Sequence, residues 1–300
     1  MMANTTTLDK SKITTLIFDV DDTLYDVGTG FTAHRNGEGA TSFMVAKLNF
    51  PDLASAKVVR DEYFVQYHST AKALCVAEEE GRFPPQIDEN GNESGNECNN
   101  ENDKKGGTTI FDTKDLAEWW ATKLNFSLLG KPNPKIIQML ESCPLNLVAF
   151  SNGPRLYVLR TLKELGLDKC FPPNKVFAVD DVLPCCKPEA KAFEKVLSKI
   201  GVKDPSECIM VEDSMKNIRA AKELGMATVL IAGLGRMRKD KGVSVDGNDD
   251  ADAKDKKAQE LADQAEATKA GDAPDASDDA VDVCIESVAE LESALPELWK

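Results

Sequence analysis

The sequence has few of the residues on which several classes of protein depend. Two of its 300 residues are histidine, no Cys-x-x-Cys pair occurs, and no apolar run approaches 18 residues. These absences argue against a histidine-rich metal site and against a membrane span. The amino terminus lacks the apolar stretch of a secretory signal, and eight scattered cysteines in so long a chain do not make a disulfide scaffold. We therefore expect a reduced, cytoplasmic location, with an organelle address as the alternative.

Basic residues are also scarce, because 36 Lys and Arg stand against 51 Asp and Glu, a formal charge of -15. The excess is concentrated in two segments. Residues 86–107 include six acidic and two basic residues, and residues 239–280 include thirteen acidic and six basic residues. Segments of this composition cannot bury a core, so we predict two disordered insertions. The acidity argues against nucleic acid polymers as partners, since these require a basic surface.

Apolar, β-branched runs alternate with helical patterns through much of the chain. The runs are ITTLIFDV, NLVAFSNG, CIMVEDS and ATVLIAG, with shorter ones in KVFAVDDVL and VDVCIES. Helical patterns follow at 154–167, 188–201 and 215–226, and each ends near a glycine. Strands that alternate with helices of this length predict crossover units and a parallel sheet. The predicted fold class is therefore α/β, with a Rossmann-like parallel core flanked by helices.

Residues 26–140 interrupt this alternation. Helical patterns at 40–50, 55–80 and 113–124 dominate them, and no apolar strand occurs among them. We therefore predict an all-helical cap at 26–140, inserted into a core made of residues 13–25 and 141–300.

Two aspartates follow the first predicted strand, in FDVDDTLY. The two-residue period of a strand starts Asp19 and Asp21 on one side of the chain, and ligands bind at the carboxyl ends of parallel strands. Neighbouring carboxylates repel each other unless a cation intervenes, and a hard divalent ion, Mg²⁺ above all, prefers oxygen ligands. The alternative is an acidic turn that only ends the strand.

Three further points along the chain carry polar residues at a strand end or a helix start. Ser151 in FSNG offers a hydroxyl beside backbone amides, which makes either an anion site or a simple turn or helix cap. Lys187 directly precedes a predicted helix and either binds a phosphoryl oxygen or is solvated at the surface. Glu212 and Asp213 end a buried strand and either bind a cation or cap the next helix.

The order Asp-x-Asp, Ser, Lys and Glu-Asp resembles the four motifs of the haloacid dehalogenase superfamily over residues 13–233. The resemblance implies that Asp19 attacks phosphorus to form an aspartyl-phosphate, and that Asp21 protonates the leaving oxygen and then activates water. It implies that Mg²⁺ is held by Asp19, the backbone carbonyl of Asp21, Asp213 and, through a water, Glu212. It also implies a phosphate-binding set of Ser151, the amide of Asn152, Lys187 and Thr23, the last of which orients Asp21.

Four stretches carry a narrower resemblance, to the eukaryotic pyrimidine 5′-nucleotidase-like branch: TLYDVGTGF, FMVAKLNF, YFVQYHSTAKAL and CCKPEAKAFEKVL. It implies a phosphatase acting on a small phosphorylated metabolite, a pyrimidine nucleoside 5′-monophosphate, although His68 and Ala73 stand where that branch usually has glycine. A sugar-phosphate phosphatase or a phosphomutase of the same superfamily is the alternative. From another class, the alternative is a non-catalytic scaffold whose acidic segment at 239–280 binds a basic partner.

Overall fold

A computed structural model of the chain describes residues 9–87, 93–94, 110–234 and 272–300. Its strands are β1 Thr15–Phe18, β2 Gln86–Ile87, β3 Glu93–Ser94, β4 Asn146–Phe150, β5 Val176–Phe177, β6 Cys208–Glu212, β7 Ala227–Ile231 and β8 Val283–Ile285. Six of them form one parallel sheet in the order β5-β4-β1-β6-β7-β8. The predicted α/β fold with a parallel sheet is confirmed.

The helices of the described residues are α1 Phe31–His34, α2 Ala40–Lys47, α3 Leu53–Tyr67, α4 Thr70–Glu79, α5 Thr113–Lys123, α6 Pro134–Ser142, α7 Arg155–Glu164, α8 Val179–Val182, α9 Ala190–Ile200, α10 Met215–Glu223 and α11 Leu291–Ala294. Helices α7, α9 and α10 lie within the helical patterns seen in the sequence at 154–167, 188–201 and 215–226. None of the helices in this part of the chain is long and apolar enough to cross a membrane.

Strand β1 lies at the centre of the sheet and is buried along its whole length. Leu16 and Phe18 pack into the larger apolar cluster on one face, together with Leu140 of α6. Ile17 packs into the cluster on the other face, with Phe193 of α9. Because helices cover both faces, β1 is apolar at successive positions instead of alternating with polar residues.

The register of the central strands brings three chain segments to one edge of the sheet. Phe18 at the end of β1 pairs with Ala149 of β4 on one side and with Val211 of β6 on the other. The chain leaves β1 toward β4 but leaves β6 toward β7, so the strand order reverses between β1 and β6. Such a reversal opens a crevice beyond the carboxyl ends of the strands, where ligands bind in this kind of sheet.

Helices α1 to α6 occupy the chain between β1 and β4, and α2 to α5 lie where the sequence predicts helical patterns. The single helical pattern at 55–80 is divided into α3 and α4 at His68, whose φ of 48° lies in the left-handed region. The side chain of Ser69 then caps α4 by accepting from the amide of Lys72 at 3.4 Å. The same hydroxyl donates to the carbonyl of Asn152 at 3.0 Å, so the break places this turn over the carboxyl edge of the sheet.

The prediction of two disordered insertions is wrong for parts of both. Within 86–107, β2 and β3 pair as a short antiparallel ladder. Within 239–280, three of the last nine residues, Asp272, Asp278 and Ala280, are buried or paired with the core. Asp272 is only 3% exposed, and Asp278 pairs with Arg219 of α10 at 2.9 Å. The other residues of both segments lie outside the described part of the chain.

Candidate active site

A cleft beyond the carboxyl ends of β1, β4 and β6 collects most of the residues singled out in the sequence. It encloses about 610 Å³, including its open mouth. Six of the eight predicted site residues line it, namely Asp19, Asp21, Asn152, Lys187, Glu212 and Asp213. Ser151 and Thr23 lie just behind its wall, where both are buried.

Lys187 is fully buried, so the alternative of a solvated surface lysine is wrong. Its Nζ lies 2.7 Å from Oδ1 of Asp19 and 2.7 Å from Oε2 of Glu212. Burial by itself lowers the pKa of a lysine, but the two carboxylates raise the pKa of Lys187 above its usual value. The lysine is therefore a permanent cation that bridges the ends of β1 and β6.

Asp19 continues directly from β1, and its amide donates to the carbonyl of Val211 at 2.9 Å. Burial raises the pKa of Asp19 to about 6, and the charges of Asp21 and Asp213 add to the rise although Lys187 opposes it. Above that pH the side chain is a buried anion with few hydrogen-bond donors, which is the form required of a nucleophile.

Asp21 has a very different set of partners. Its Oδ1 accepts from the hydroxyls of Tyr25, at 2.7 Å, and Tyr157. Its Oδ2 accepts from the guanidinium of Arg35 and, at 3.4 Å, from the hydroxyl of Ser151. Burial would raise the pKa of Asp21, but the charge of Arg35 and the two tyrosine hydroxyls outweigh burial and lower it. The two aspartates are therefore shifted in opposite directions within one cleft.

Arg35 approaches Asp21 from the inserted helices. It begins the π-helical turn Arg35–Gly39, and its guanidinium carbon lies 5.3 Å from the ring centre of Trp120 and 5.2 Å from that of Tyr157. Two aromatic faces and one carboxylate thus fix the cation in place. Trp120 is 2% exposed and packs around this arginine.

Three carboxylates form a cluster that could hold a metal ion. One oxygen each from Asp19, Glu212 and Asp213 lies within 4.8 Å of the others. Burial and the charge of Asp19 raise the pKa of Glu212 well above its usual value, against the effect of Lys187. Three carboxylates face the single charge of Lys187, so the cluster retains negative charge. Such an oxygen-only donor set fits a hard divalent cation.

Two predicted site residues have contacts other than those expected. The hydroxyl of Thr23 donates to Oδ1 of Asp213 at 3.5 Å and not to Asp21, so the prediction that Thr23 orients Asp21 is wrong. The side chain of Asn152 bonds the backbone of Lys187 in both directions, accepting from its amide at 2.9 Å and donating to its carbonyl at 2.8 Å. That side chain therefore positions the lysine.

The sequence reasoning missed four residues around the cleft: Tyr25, Tyr157, Lys216 and Asp272. Tyr25 stands four residues after Asp21, and Tyr157 lies in the first turn of the helix after FSNG, so spacing from the motifs could have indicated both. Asp272 is one of thirteen acidic residues in a polar segment, and no local pattern distinguishes it.

Solved structures share the fold of this chain at low sequence identity. L-2-haloacid dehalogenase from Xanthobacter autotrophicus, with chloropropionic acid covalently bound, aligns with a TM-score of 0.50 and 17% identity over 95% of this chain and 98% of that one. A haloacid dehalogenase-superfamily phosphatase from Thermococcus onnurineus aligns with a TM-score of 0.50 and 18% identity over 94% and 98%. The sequence itself matches the haloacid dehalogenase-like hydrolase family over residues 13–225. The chain therefore belongs to the haloacid dehalogenase-like hydrolases.

Proposed function

We propose that the protein is a Mg²⁺-dependent phosphatase that hydrolyses a small phosphomonoester through an aspartyl-phosphate on Asp19. The observation that carries this proposal is Asp21, a second carboxylate in the cleft of Asp19. A halide leaves without a proton, whereas the alkoxide of a phosphate ester leaves poorly unless an acid protonates it. A dehalogenase therefore has no need of Asp21, and a phosphatase does.

In the first step a carboxylate oxygen of Asp19 attacks phosphorus, and the bond from phosphorus to the leaving oxygen breaks. Lys187 lies 2.7 Å from Asp19 and offers its charge to the phosphoryl oxygens as they gather negative charge. Mg²⁺ held by Asp19, Asp213, the backbone carbonyl of Asp21 and, through a water, Glu212 would neutralise charge on the same oxygens.

Asp21 serves both halves of the proposed reaction. It gives a proton to the leaving oxygen and then, as a carboxylate, takes one from the water that hydrolyses the aspartyl-phosphate. Ser151, whose hydroxyl is 3.4 Å from Asp21, and the backbone amide of Asn152 complete the proposed phosphoryl site beside Lys187. Fixed donors of this kind stabilise the charge that spreads over the phosphoryl oxygens in the transition state.

A pyrimidine nucleoside 5′-monophosphate is the substrate that we propose within this class. Phe64 and Asn36 line the cleft from the inserted helices and offer an apolar face and an amide to its leaving group. A sugar phosphate is the second candidate, with a mutase as its variant. A scaffold has no physical need for four carboxylates around one cleft.

We also propose a reduced, cytoplasmic location. The described cysteines are all free thiols, which supports it.

The first test is phosphate release from p-nitrophenyl phosphate with Mg²⁺ and then with EDTA. We expect release only with the metal and a loss of about 10³-fold or more in Asp19→Asn, because the nucleophile is gone. Asp168→Asn changes an exposed aspartate and is the matched control. Activity in Asp19→Asn equal to that of wild type would contradict the assignment of the nucleophile.

A panel of nucleoside monophosphates and sugar phosphates then separates the two substrate candidates. Isomerised product without phosphate release would identify a mutase.

A second test examines whether Asp21 is the acid that protonates the leaving group. In Asp21→Asn we expect the pre-steady-state burst on p-nitrophenyl phosphate to suffer less than that on an alkyl phosphate, since p-nitrophenolate needs little protonation. The slower hydrolysis of the aspartyl-phosphate should affect both substrates alike. Equal losses in the two bursts would argue against Asp21 as the leaving-group acid.

A further inference from the structure

Asp272 lies at the cleft although it comes from the end of the acidic segment at 239–280. It is 3% exposed, and both of its carboxylate oxygens are bonded to the chain that follows β6. Oδ2 accepts from the hydroxyl of Ser214 at 2.5 Å, and Oδ1 accepts from the amide of Lys216 at 2.8 Å. Because Ser214, the N-cap residue of α10, makes no side-chain capping bond, Asp272 supplies the acceptor that the first turn of this helix requires.

Asp272 is bonded to the segment that carries two of the three clustered carboxylates. Glu212 and Asp213 directly precede Ser214, and the amide of Ser214 donates to Oε1 of Glu212 at 3.2 Å. Ser214 is thus bonded to Glu212 through its amide and to Asp272 through its hydroxyl. Movement of this short connection between β6 and α10 would displace Asp213 relative to Asp19.

Asp272 is also linked to the inserted helices, through Lys216. Asp272 fixes the backbone of Lys216, and Nζ of Lys216 is hydrogen bonded to Nε2 of His68, the residue at which α3 and α4 separate. The buried carboxylate of Asp272 therefore supports both Asp213, a candidate metal ligand, and the contact between Lys216 and His68 across the cleft.

We infer that Asp272 is a positioning residue for the cation site, acting through the connection Asp213–Lys216. This inference rests on the proposed function, because the cation site is part of it. Outer partners of metal ligands hold those ligands in their binding geometry, and their loss weakens metal binding by 10- to 100-fold. Asp272 is placed to do this for Asp213, since it bonds Ser214 and Lys216, the first and third residues after Asp213.

The test is Mg²⁺ binding by calorimetry on the full chain, with Asp213→Asn as the variant that reports binding elsewhere on this acidic protein. We expect Asp272→Ala to raise the Kd for Mg²⁺ about 10-fold. Asp272→Asn should retain most of the affinity, because its carboxamide can accept from the amide of Lys216 and donate to the hydroxyl of Ser214. Asp278→Ala is the matched control, since Asp278 ties the same segment to Arg219 on α10 away from the cleft.

Hydrogen exchange of the metal-free protein gives a second readout that does not depend on Mg²⁺. The amide of Lys216 should exchange faster in Asp272→Ala but not in Asp278→Ala. If Asp272→Ala does not fold, Ser214→Ala removes one of the two bonds and should give a smaller rise in the Kd for Mg²⁺.

The outcomes are distinct. Wild-type affinity for Mg²⁺ in Asp272→Ala overturns the inference and leaves the proposed function intact. An Asp272→Asn variant as weak as Asp272→Ala shows that the charge and not the position matters, and this also overturns it. A wild-type protein that binds no Mg²⁺ overturns the proposed function and the inference together.

Discussion

Replacing Asp19 by asparagine should stabilise the protein when no divalent cation is present. Folding raises the pKa of Asp19 from 3.8 to about 6, chiefly through burial, and this shift already includes the opposing effect of Lys187. Since one pKa unit corresponds to about 1.4 kcal/mol, holding this side chain ionised in the folded protein costs about 3 kcal/mol above pH 6. Asparagine removes that charge at nearly the same volume. We expect a gain of about 1–3 kcal/mol at pH 8, since the amide group loses part of it by finding fewer partners.

The dependence on pH follows from the direction of the shift. Because the folded protein holds the proton of Asp19 more tightly than the unfolded chain does, the destabilisation is complete above about pH 6 and disappears as the pH falls toward 3.8. The difference in unfolding free energy between Asp19→Asn and wild type should therefore be largest at pH 8 and close to zero near pH 4. Urea unfolding in EDTA at pH 8, 6 and 4.5 measures it.

Mg²⁺ should reduce the stability advantage of Asp19→Asn over wild type. Wild type should gain about 2.7 kcal/mol at a free Mg²⁺ concentration one hundred times its Kd, and Asp19→Asn should gain less because it has lost a ligand. Asp168→Asn, at an exposed position, controls for the change in net charge. An Asp19→Asn variant less stable than wild type in EDTA at pH 8 would refute the reasoning, because it would mean that the bond from Lys187 outweighs burial.

Two further substitutions test the charges in the cleft. Lys187→Met leaves Asp19 and Glu212 buried without their shared cation, so we expect a loss of about 3–5 kcal/mol at pH 8 in EDTA. Both carboxylates take up protons more readily without the lysine, so most of the loss should be recovered at pH 5, and equal losses at the two pH values in urea unfolding would contradict this. Tyr157→Phe removes a hydroxyl that donates to Asp21, so the pKa of Asp21 should rise and the pH profile of kcat on an alkyl phosphate should move to higher pH. Tyr67→Phe is the comparison, and an unmoved profile in Tyr157→Phe would show that its hydroxyl does not set the protonation of Asp21.

The sheet and much of the cleft were predictable from sequence because their signals are local. An apolar, β-branched run such as that containing Thr15–Phe18 is typical of a strand buried on both faces, and the residues that follow such strands meet at one edge of a parallel sheet. This reasoning brings Asp19 and Asp213 together, whereas Lys187 follows no strand directly and was placed in the site by the family resemblance.

The contacts of the inserted helices and of the acidic segment were not predictable, because they depend on where distant chain segments pack. The helical pattern at 55–80 gives no sign that His68 takes up a left-handed conformation and turns the chain over the cleft. Asp272 has the composition of a solvated segment and becomes buried only because Ser214 and Lys216 offer two donors 58 and 56 residues away. The family resemblance assigned Thr23 to Asp21, whereas its hydroxyl reaches Asp213 across the sheet edge.

The opposite shifts of the two aspartates bear on how the proposed reaction proceeds. At neutral pH Asp19 is mostly ionised, as a nucleophile must be, but Asp21 is held as a carboxylate and lacks the proton that a leaving oxygen needs. Among the groups in the described part of the chain that bond Asp21, only Arg35 carries a full charge, and it alone comes from the inserted helices. In the proposed reaction, a phosphate dianion entering the cleft would both compete for Arg35 and add negative charge beside Asp21, and each effect would raise the pKa of Asp21. Binding of such a substrate would therefore favour the acid form of Asp21. Once the leaving group has taken the proton and departed, Arg35 again favours the carboxylate, which is the form that activates water. The same arginine would thus suit Asp21 to its two proposed roles in turn, because its bond to the carboxylate would depend on whether a substrate is present.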